Sequence, residues 1–367
     1  MKILFIAPLT RNITPGSVAG RPRMVFDLIS GLIKKGHTIT VIGTKDSFIP
    51  KARIIPVIEK GFYEISDSFE NPFYAHTAFL TIQAKVMEKS ASNFDIIHNH
   101  SYPECINLLT EKNINIPIIS TLHSALSEEL DTALSFFKRT KIICASSEAA
   151  KGAKKAKIYK VIHHGVDTDL FVFSPKKESY LLWIGRLSKA KDKNGDFMDP
   201  KGVKWAIQLA KKTGSELKLV ANVEDIEFFN KEVRPHLSEK ITWIGGISKE
   251  PPLSKEEVSG LMQKAKVLLM TARFKEAFGL VVAEAQSCGT PVIGFKQGPV
   301  SEIIINNKTG FITDMKQGVA GLEAALNNIS MINPKDCRLH IEENFSLKKM
   351  IDSYEEAYVN IIKEHEA

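Results

Sequence analysis

Two carboxylates pose the first chemical question. Glu276 and Glu284 stand eight residues apart in the stretch Arg273–Pro291, RFKEAFGLVVAEAQSCGTP. Eight helical steps of about 100° leave them roughly 80° apart, so one continuous helix would not aim both at one point. The spacing makes more sense if Glu276 lies in the loop after a strand, Val267–Thr271, and Glu284 lies inside the following helix. The amides of Phe278, Gly279 and Leu280 are then the open donors of that helix start, and Gly279 lets a ligand approach the backbone. A sugar joined to a nucleoside diphosphate complements such a site, with phosphates for the amides and hydroxyls for the carboxylates. The spacing alone leaves a plainer alternative open, in which Glu276 answers the helix dipole and Glu284 is a solvated helix residue.

Two cations accompany the carboxylates. A strand, Tyr180–Gly185, runs into Arg186, and Lys201-Gly202 opens the next helix. A guanidinium, an ammonium and helix amides together can neutralise a departing diphosphate without a metal.

The elements that must position these groups alternate along the whole chain. Ile3–Ala7, Thr38–Gly43, Phe94–His98, Pro117–Leu122, Lys141–Ala145 and Ile158–Ile162 read as buried parallel strands. Arg23–Lys35, His76–Lys89, Cys105–Lys112 and Ser127–Lys138 read as the helices between them. The series restarts with strands Tyr180–Gly185, Leu217–Ala221, Ile241–Gly245, Val267–Thr271, Pro291–Phe295 and Gly310–Thr313. Its helices are Lys201–Thr213, Asp225–His236, Ser254–Lys264, Val281–Ser287 and Val319–Asn328. The predicted fold is α/β, two doubly wound parallel-sheet (Rossmann-like) domains facing a cleft. The polar stretch His163–Lys177 divides them, giving an N-terminal domain over 1–165 and a C-terminal domain over 166–345. Residues 346–367 form a final amphipathic helix with Met350, Ile351, Tyr354, Tyr358 and Ile361 on one side.

Composition bounds the rest. The 367 residues suit about two domains, and 44% hydrophobic with 25% charged residues excludes a disordered or fibrous chain. A net charge of +7 favours anionic partners without naming one. No run nears the ~20 apolar residues of a membrane span, and Lys2–Pro8 is too short for a signal-peptide core. Cys105, Cys144, Cys288 and Cys337 stand far apart without a CxxC pair, which fits a reducing cytoplasm.

Taken together these motifs resemble the retaining nucleotide-sugar glycosyltransferases of the GT-B fold, family 4. The resemblance rests on Gly185-Arg186-Leu187 with Lys201-Gly202, on Glu276–Val292, on Glu302-Ile303 with Gly310-Phe311, and on the linker His164–Phe171. It implies that Arg186 and Lys201 grip the diphosphate, that Glu276 contacts the donor sugar and that Glu284 holds the ribose. Phe278, Gly279 and Leu280 take the backbone-donor role. His123, at the end of a strand, resembles the family's histidine near the transferred sugar, and the last helix the one that braces the first domain. The implied activity is metal-independent transfer of a hexose from a nucleoside-diphosphate sugar, uridine being the commonest base, to an acceptor hydroxyl. The configuration is retained, the leaving phosphate takes the acceptor's proton, and domain closure limits hydrolysis. No cofactor and no nucleic-acid partner are expected. A non-catalytic nucleotide-sugar binder of the same fold is the second reading, and the sequence leaves sugar, acceptor and oligomeric state open.

This chain departs from the family pattern in places. Ala277 replaces a usual glycine, Ala19-Gly20 stands where two glycines are common, and Gln297–Val300 replaces a frequent double glycine. The segment Ser188–Pro200 is enlarged, so Lys189, Lys191 or Lys193 compete with Lys201 for the diphosphate. The loop Gly16–Gly20 matches neither dinucleotide nor P-loop fingerprints; it reads as a flexible loop or, given the resemblance, as a cover over the donor phosphate. Asp167-Thr168-Asp169 mimics a metal-binding DxD but lies in the linker, where turn-making is its expected work. His98 and His100 end a strand and lack a third metal ligand, which leaves them an acceptor-side role. The Lys151–Lys160 cluster is a solvated face with weak attraction to the inner face of an anionic membrane.

Overall fold

Apolar, largely β-branched runs buried on both faces set most of the strands, because a parallel sheet covered on both faces takes such runs. A computed structural model describes residues 1–367 apart from Val18, Tyr102, Pro103, Glu250, Pro251, Lys275 and Glu276, and apart from the side chains of Cys105 and Ile106. Glu276 therefore lies outside the described residues. The chain divides into two units, one of Met1–Gly165 with Leu347–Ala367 and one of Val166–Ser346.

The first unit contains seven parallel strands: β1 (Lys2–Ile6), β2 (Thr38–Thr44), β3 (Arg53–Ile58), β4 (Ile96–Asn99), β5 (Ile118–Leu122), β6 (Thr140–Cys144) and β7 (Ile158–Val161). They lie in the order β3-β2-β1-β4-β5-β6-β7. Alternation divides each strand between two cores. Ile3 and Phe5 of β1 face one side together with Val41, Ile96 and Ile119, while Leu4 and Ile6 face the other with Ile97 and Ile118. The first side is closed by the helix Gly20–Lys34 and by the C-terminal helix Leu347–Glu366, whose Met350, Ile351, Tyr354, Tyr358 and Ile361 are all buried. The two helices pass so closely that a Cβ on Gly31 would stand 2.0 Å from the Ile351 side chain. Lys35 reaches Asp352 and Glu355 across the same seam, and His37 joins Glu355.

The second unit has six parallel strands: β8 (Leu181–Leu187), β9 (Leu217–Val223), β10 (Ile241–Trp243), β11 (Val267–Met270), β12 (Val292–Phe295) and β13 (Gly310–Thr313). Their order is β10-β9-β8-β11-β12-β13. In both sheets the strand order reverses once, between β1 and β4 and between β8 and β11, and ligands of open α/β sheets bind beyond the strand ends at such points.

Some elements differ from the sequence expectation. The edge strand β3 is new; Pro56 interrupts its apolar run and much of it is only half-buried. The helix Pro334–Asn344, capped by Asn333, is also new. The stretch predicted as one helix over Asp225–His236 opens as helix at Ile226–Phe228, widens to a π turn and ends as a 3-10 turn at Pro235, which has no amide to continue. Cys105–Asn113 is wound as 3-10 turns rather than α-helix.

Candidate active site

At the reversal point of the second unit, the loop after β11 and the loop before the helix Val203–Thr213 are knitted together. The Arg273 amide donates to Pro200 O (2.8 Å), and Thr271 Oγ1 donates to Gly202 O (2.7 Å). The buried Trp183 indole of β8 donates to Thr271 Oγ1 (3.1 Å) from below. Gly202 adopts φ +74°, and the backbones approach so closely that a Cβ there would stand 1.9 Å from Thr271 O. Lys201 therefore has a fixed origin, and its ammonium lies 4.7 Å from the centre of the Phe274 ring.

Asp199 completes this arrangement and is the residue that sequence reasoning missed. Its buried carboxylate accepts from the amides of Gly202 (2.8 Å), Val203 (3.1 Å) and Lys204 (2.8 Å), closing the start of the Val203 helix. Burial pushes this carboxyl above the usual carboxylate range, with the three amides and the nearby Lys204 opposing the shift. The signal was an Asp four residues before the first residue of a helix, three before its glycine cap. Asp199→Ala should lower stability by about 2 kcal/mol, read as a fall in the urea midpoint at unchanged slope. Asp199→Asn should recover part of that loss.

The enlarged segment 188–200 is ordered rather than loose. Lys191 pairs antiparallel with Phe197 around a turn in which Asp192 Oδ1 accepts from the Asn194 and Asp196 amides. Phe197 packs edge-on against Phe228. Lys191 is spent on Glu227 and on the Phe197 face. Arg186, at the end of β8, is half-exposed, and its Nη1 lies 3.4 Å from Glu224.

Past Phe274 the loop enters the helix Leu280–Ser287 through Gly279, whose φ is +97°. A glycine cap has no side chain to close the helix start, in contrast to Asp199 on the Val203 helix and Ser254 on the helix Lys255–Lys264. Phe278 is buried against Phe345, anchoring the turn, while Ala277 is half-buried. Glu284 is 5% exposed, so it is not the solvated helix residue of the plainer alternative.

The first unit gathers a different chemistry at its own reversal point. Gly20 is exposed at the first turn of its helix, with Arg21 beside it 3.9 Å from Glu104. Burial lowers the Arg21 pKa. His100, just past β4, and His123, just past β5, share a hydrogen bond of 2.9 Å between Nδ1 and Nε2. His98 is corrected from the acceptor-side role. Its two ring nitrogens are engaged by Tyr358 (2.6 Å) and Thr121 (2.7 Å), which makes it an internal fastener of the C-terminal helix. Burial pushes His100 down to about 3 and His164 to about 4, and holds His98 and His123 well below the ordinary imidazole value. Asp167 is a turn-maker, its Oδ1 accepting from the Asp169 and Leu170 amides. Among the described residues no group of three or more His, Cys, Asp or Glu is arranged to hold a metal ion, and no helix is long and apolar enough to cross a membrane.

Comparison with known proteins agrees with this layout. Residues 171–344 match the model of glycosyl transferases group 1, and residues 18–170 match that of glycosyltransferase family 4. The chain is 23% identical to the N-acetyl-alpha-D-glucosaminyl L-malate synthase of Bacillus anthracis, over 95% of this chain and 96% of that one. Among solved structures it resembles sucrose-phosphate synthase from Thermosynechococcus elongatus, with TM-score 0.76 and 16% identity over 99% of this chain and 100% of that one. It also resembles Anabaena HepE in complex with UDP-glucose, with TM-score 0.69 and 16% identity over 98% and 100% of the two chains. The two parallel sheets, the joined loops of the second unit and the two matched models agree: the chain belongs to the family 4-type glycosyltransferases of the GT-B fold.

Proposed function

We propose that this glycosyltransferase moves a hexose from a nucleoside-diphosphate sugar, with UDP as the carrier, to an acceptor hydroxyl, retaining the anomeric configuration and needing no metal. The observation that carries the reading is the Lys201 loop bound onto the loop after β11, which fixes an ammonium on the segment that leads into the glycine-opened helix at Leu280. Fixed positive groups stabilise charge as it develops without reorganising at the moment of reaction.

In this reading the leaving β-phosphate gathers negative charge as the glycosidic bond breaks. Arg186, Lys201 and the Phe278–Leu280 amides receive it, and Glu284 holds the ribose. Glu276 orients the donor sugar, and His123 and Gly20 belong to the first unit's part of the reaction. The leaving phosphate itself takes the acceptor's proton, so no protein nucleophile is required. The complex of HepE with UDP-glucose supports the choice of donor. The Lys151–Lys160 face, still largely exposed, is proposed as a weak contact with the inner face of an anionic membrane, in a protein working in the cytoplasm.

The test is turnover of UDP-, GDP- and ADP-sugars with and without chelator, the product's anomer being read by NMR. Full activity in chelator and a retained anomer are expected; loss of activity in chelator or an inverted anomer refutes the mechanism. Glu276→Gln should lower turnover by about 100-fold or more while UDP still raises the melting temperature. An unchanged rate would remove Glu276 from the reaction.

A further inference from the structure

We propose that His100 is a positioning residue that decides which ring nitrogen of His123 carries the proton. This rests on the reading of His123 as the first unit's sugar-facing histidine, and it adds a partner whose work is to fix that ring.

The geometry is specific. His100 Nδ1 and His123 Nε2 are 2.9 Å apart, and a hydrogen bond between neutral imidazoles needs one N–H and one lone pair. Burial keeps both rings neutral, and Arg21 adds to the cost of charging either one. If His100 Nδ1 donates, His123 must carry its own proton on Nδ1. If His123 Nε2 donates, His100 must carry its proton on Nε2. The two rings are thus obliged to share one tautomer, both Nδ1–H or both Nε2–H. The outer nitrogens, His100 Nε2 and His123 Nδ1, are buried and have no hydrogen-bond partner among the described residues. One of them is always a donor and the other an acceptor.

The His100 ring is fixed in place, and the tautomer it adopts is the one His123 must share. Its ring stacks on Phe5 at 5.5 Å and 5° and stands 3.9 Å from the His98 ring. His98 cannot compete for the shared proton, because Tyr358 and Thr121 occupy both of its nitrogens. What His123 offers at Nδ1 is therefore a donor or an acceptor according to the state of His100, not according to the solvent. The groups around the pair are His98, His164 and Arg21, and behind His98 stand the Tyr354 and Tyr358 phenols of the C-terminal helix.

The experiment is ¹⁵N NMR of the imidazoles in the full-length chain at neutral pH, with kinetics of His100→Ala and His100→Asn. In the unsubstituted protein His100 and His123 should show the same tautomer; a mixed pair overturns the proposal. In His100→Ala the His123 nitrogens should move toward the averaged values of a free imidazole. Turnover should fall by about tenfold or more at unchanged UDP affinity, and His100→Asn should restore part of it. His123 resonances unmoved by His100→Ala overturn the proposal even if turnover falls. A tautomer change with full turnover upholds the proposal and instead removes His123 from the reaction. Should His100→Ala not fold, the shared tautomer of the unsubstituted protein and the Asn variant carry the test.

Discussion

Gly202→Ala should cost the protein about 3 kcal/mol or more and reduce turnover by at least 100-fold. Two penalties coincide at this position. The backbone sits at φ +74°, where a Cβ is strained by about 1–2 kcal/mol. That Cβ would also stand 1.9 Å from Thr271 O and 2.6 Å from Thr271 C, backbone atoms at the end of a buried strand that cannot rotate away. Relief requires separating the two loops, which breaks the Thr271 and Arg273 hydrogen bonds and moves the origin of Lys201. Gly195→Ala is the control, since φ is +85° but nothing lies within 4 Å of the new Cβ. It should lose only the strain term. Urea melts and steady-state rates of both variants decide the matter, and equal losses would refute the claim that close approach dominates.

Acid should unfold the first unit before the second. An imidazole that titrates near 6.5 when unfolded but is pushed down to about 3 (His100) or about 4 (His164) in the fold binds protons more tightly when unfolded. The stability carried by the neutral rings is whole above about pH 6.5 and drains as the pH falls from there toward 4. By pH 4 the loss is on the order of 3 kcal/mol for each of the two rings, and His98 and His123 add to it in the same direction. The buried carboxylate Asp131, whose pKa is lowered by hydrogen bonds from Lys154, Lys155 and Ala156 despite opposing burial, matters only at more acid pH. All three tryptophans, Trp183, Trp205 and Trp243, lie in the second unit. Between pH 6.5 and 4, hydrogen exchange should therefore rise across residues 1–165 while tryptophan fluorescence holds. Simultaneous loss of both signals would contradict the assignment.

The strand–helix alternation was legible because fully buried parallel strands leave long apolar runs, as in KILFI and IISTL. What escaped was set by partners distant in sequence. The strand Arg53–Ile58 takes its register from β2, with Pro56 opposite Gly43, rather than from its own pattern. The chemistry-bearing residues could be named from type and spacing, but their neighbours could not. His98 and His100 look alike in a strand-end pair, yet one is bound by Thr121 and by Tyr358 of a helix 260 residues away, and the other by His123. Asp199 carried no periodic signal because its role depends on three amides meeting in space. Glu284 showed no sign of burial from its own position, since the elements that cover its helix lie elsewhere in the chain.

The first unit is not continuous along the chain, and that bears on how the protein is made. Its sheet and most of its core lie within the first 165 residues, yet the helix over Leu347–Glu366 that packs on Phe5, Ile29 and His98 is made only after the whole of the second unit. At ordinary synthesis rates of about 5–20 residues per second, residues 166–346 occupy roughly 10–40 s during which that apolar face is covered by the helix Gly20–Lys34 alone. The nascent chain must spend this interval half-finished, exposed to chaperones and to its neighbours on the polysome. Removing residues 347–367 would thus injure the beginning of the chain, residues 1–165, rather than the unit that precedes them.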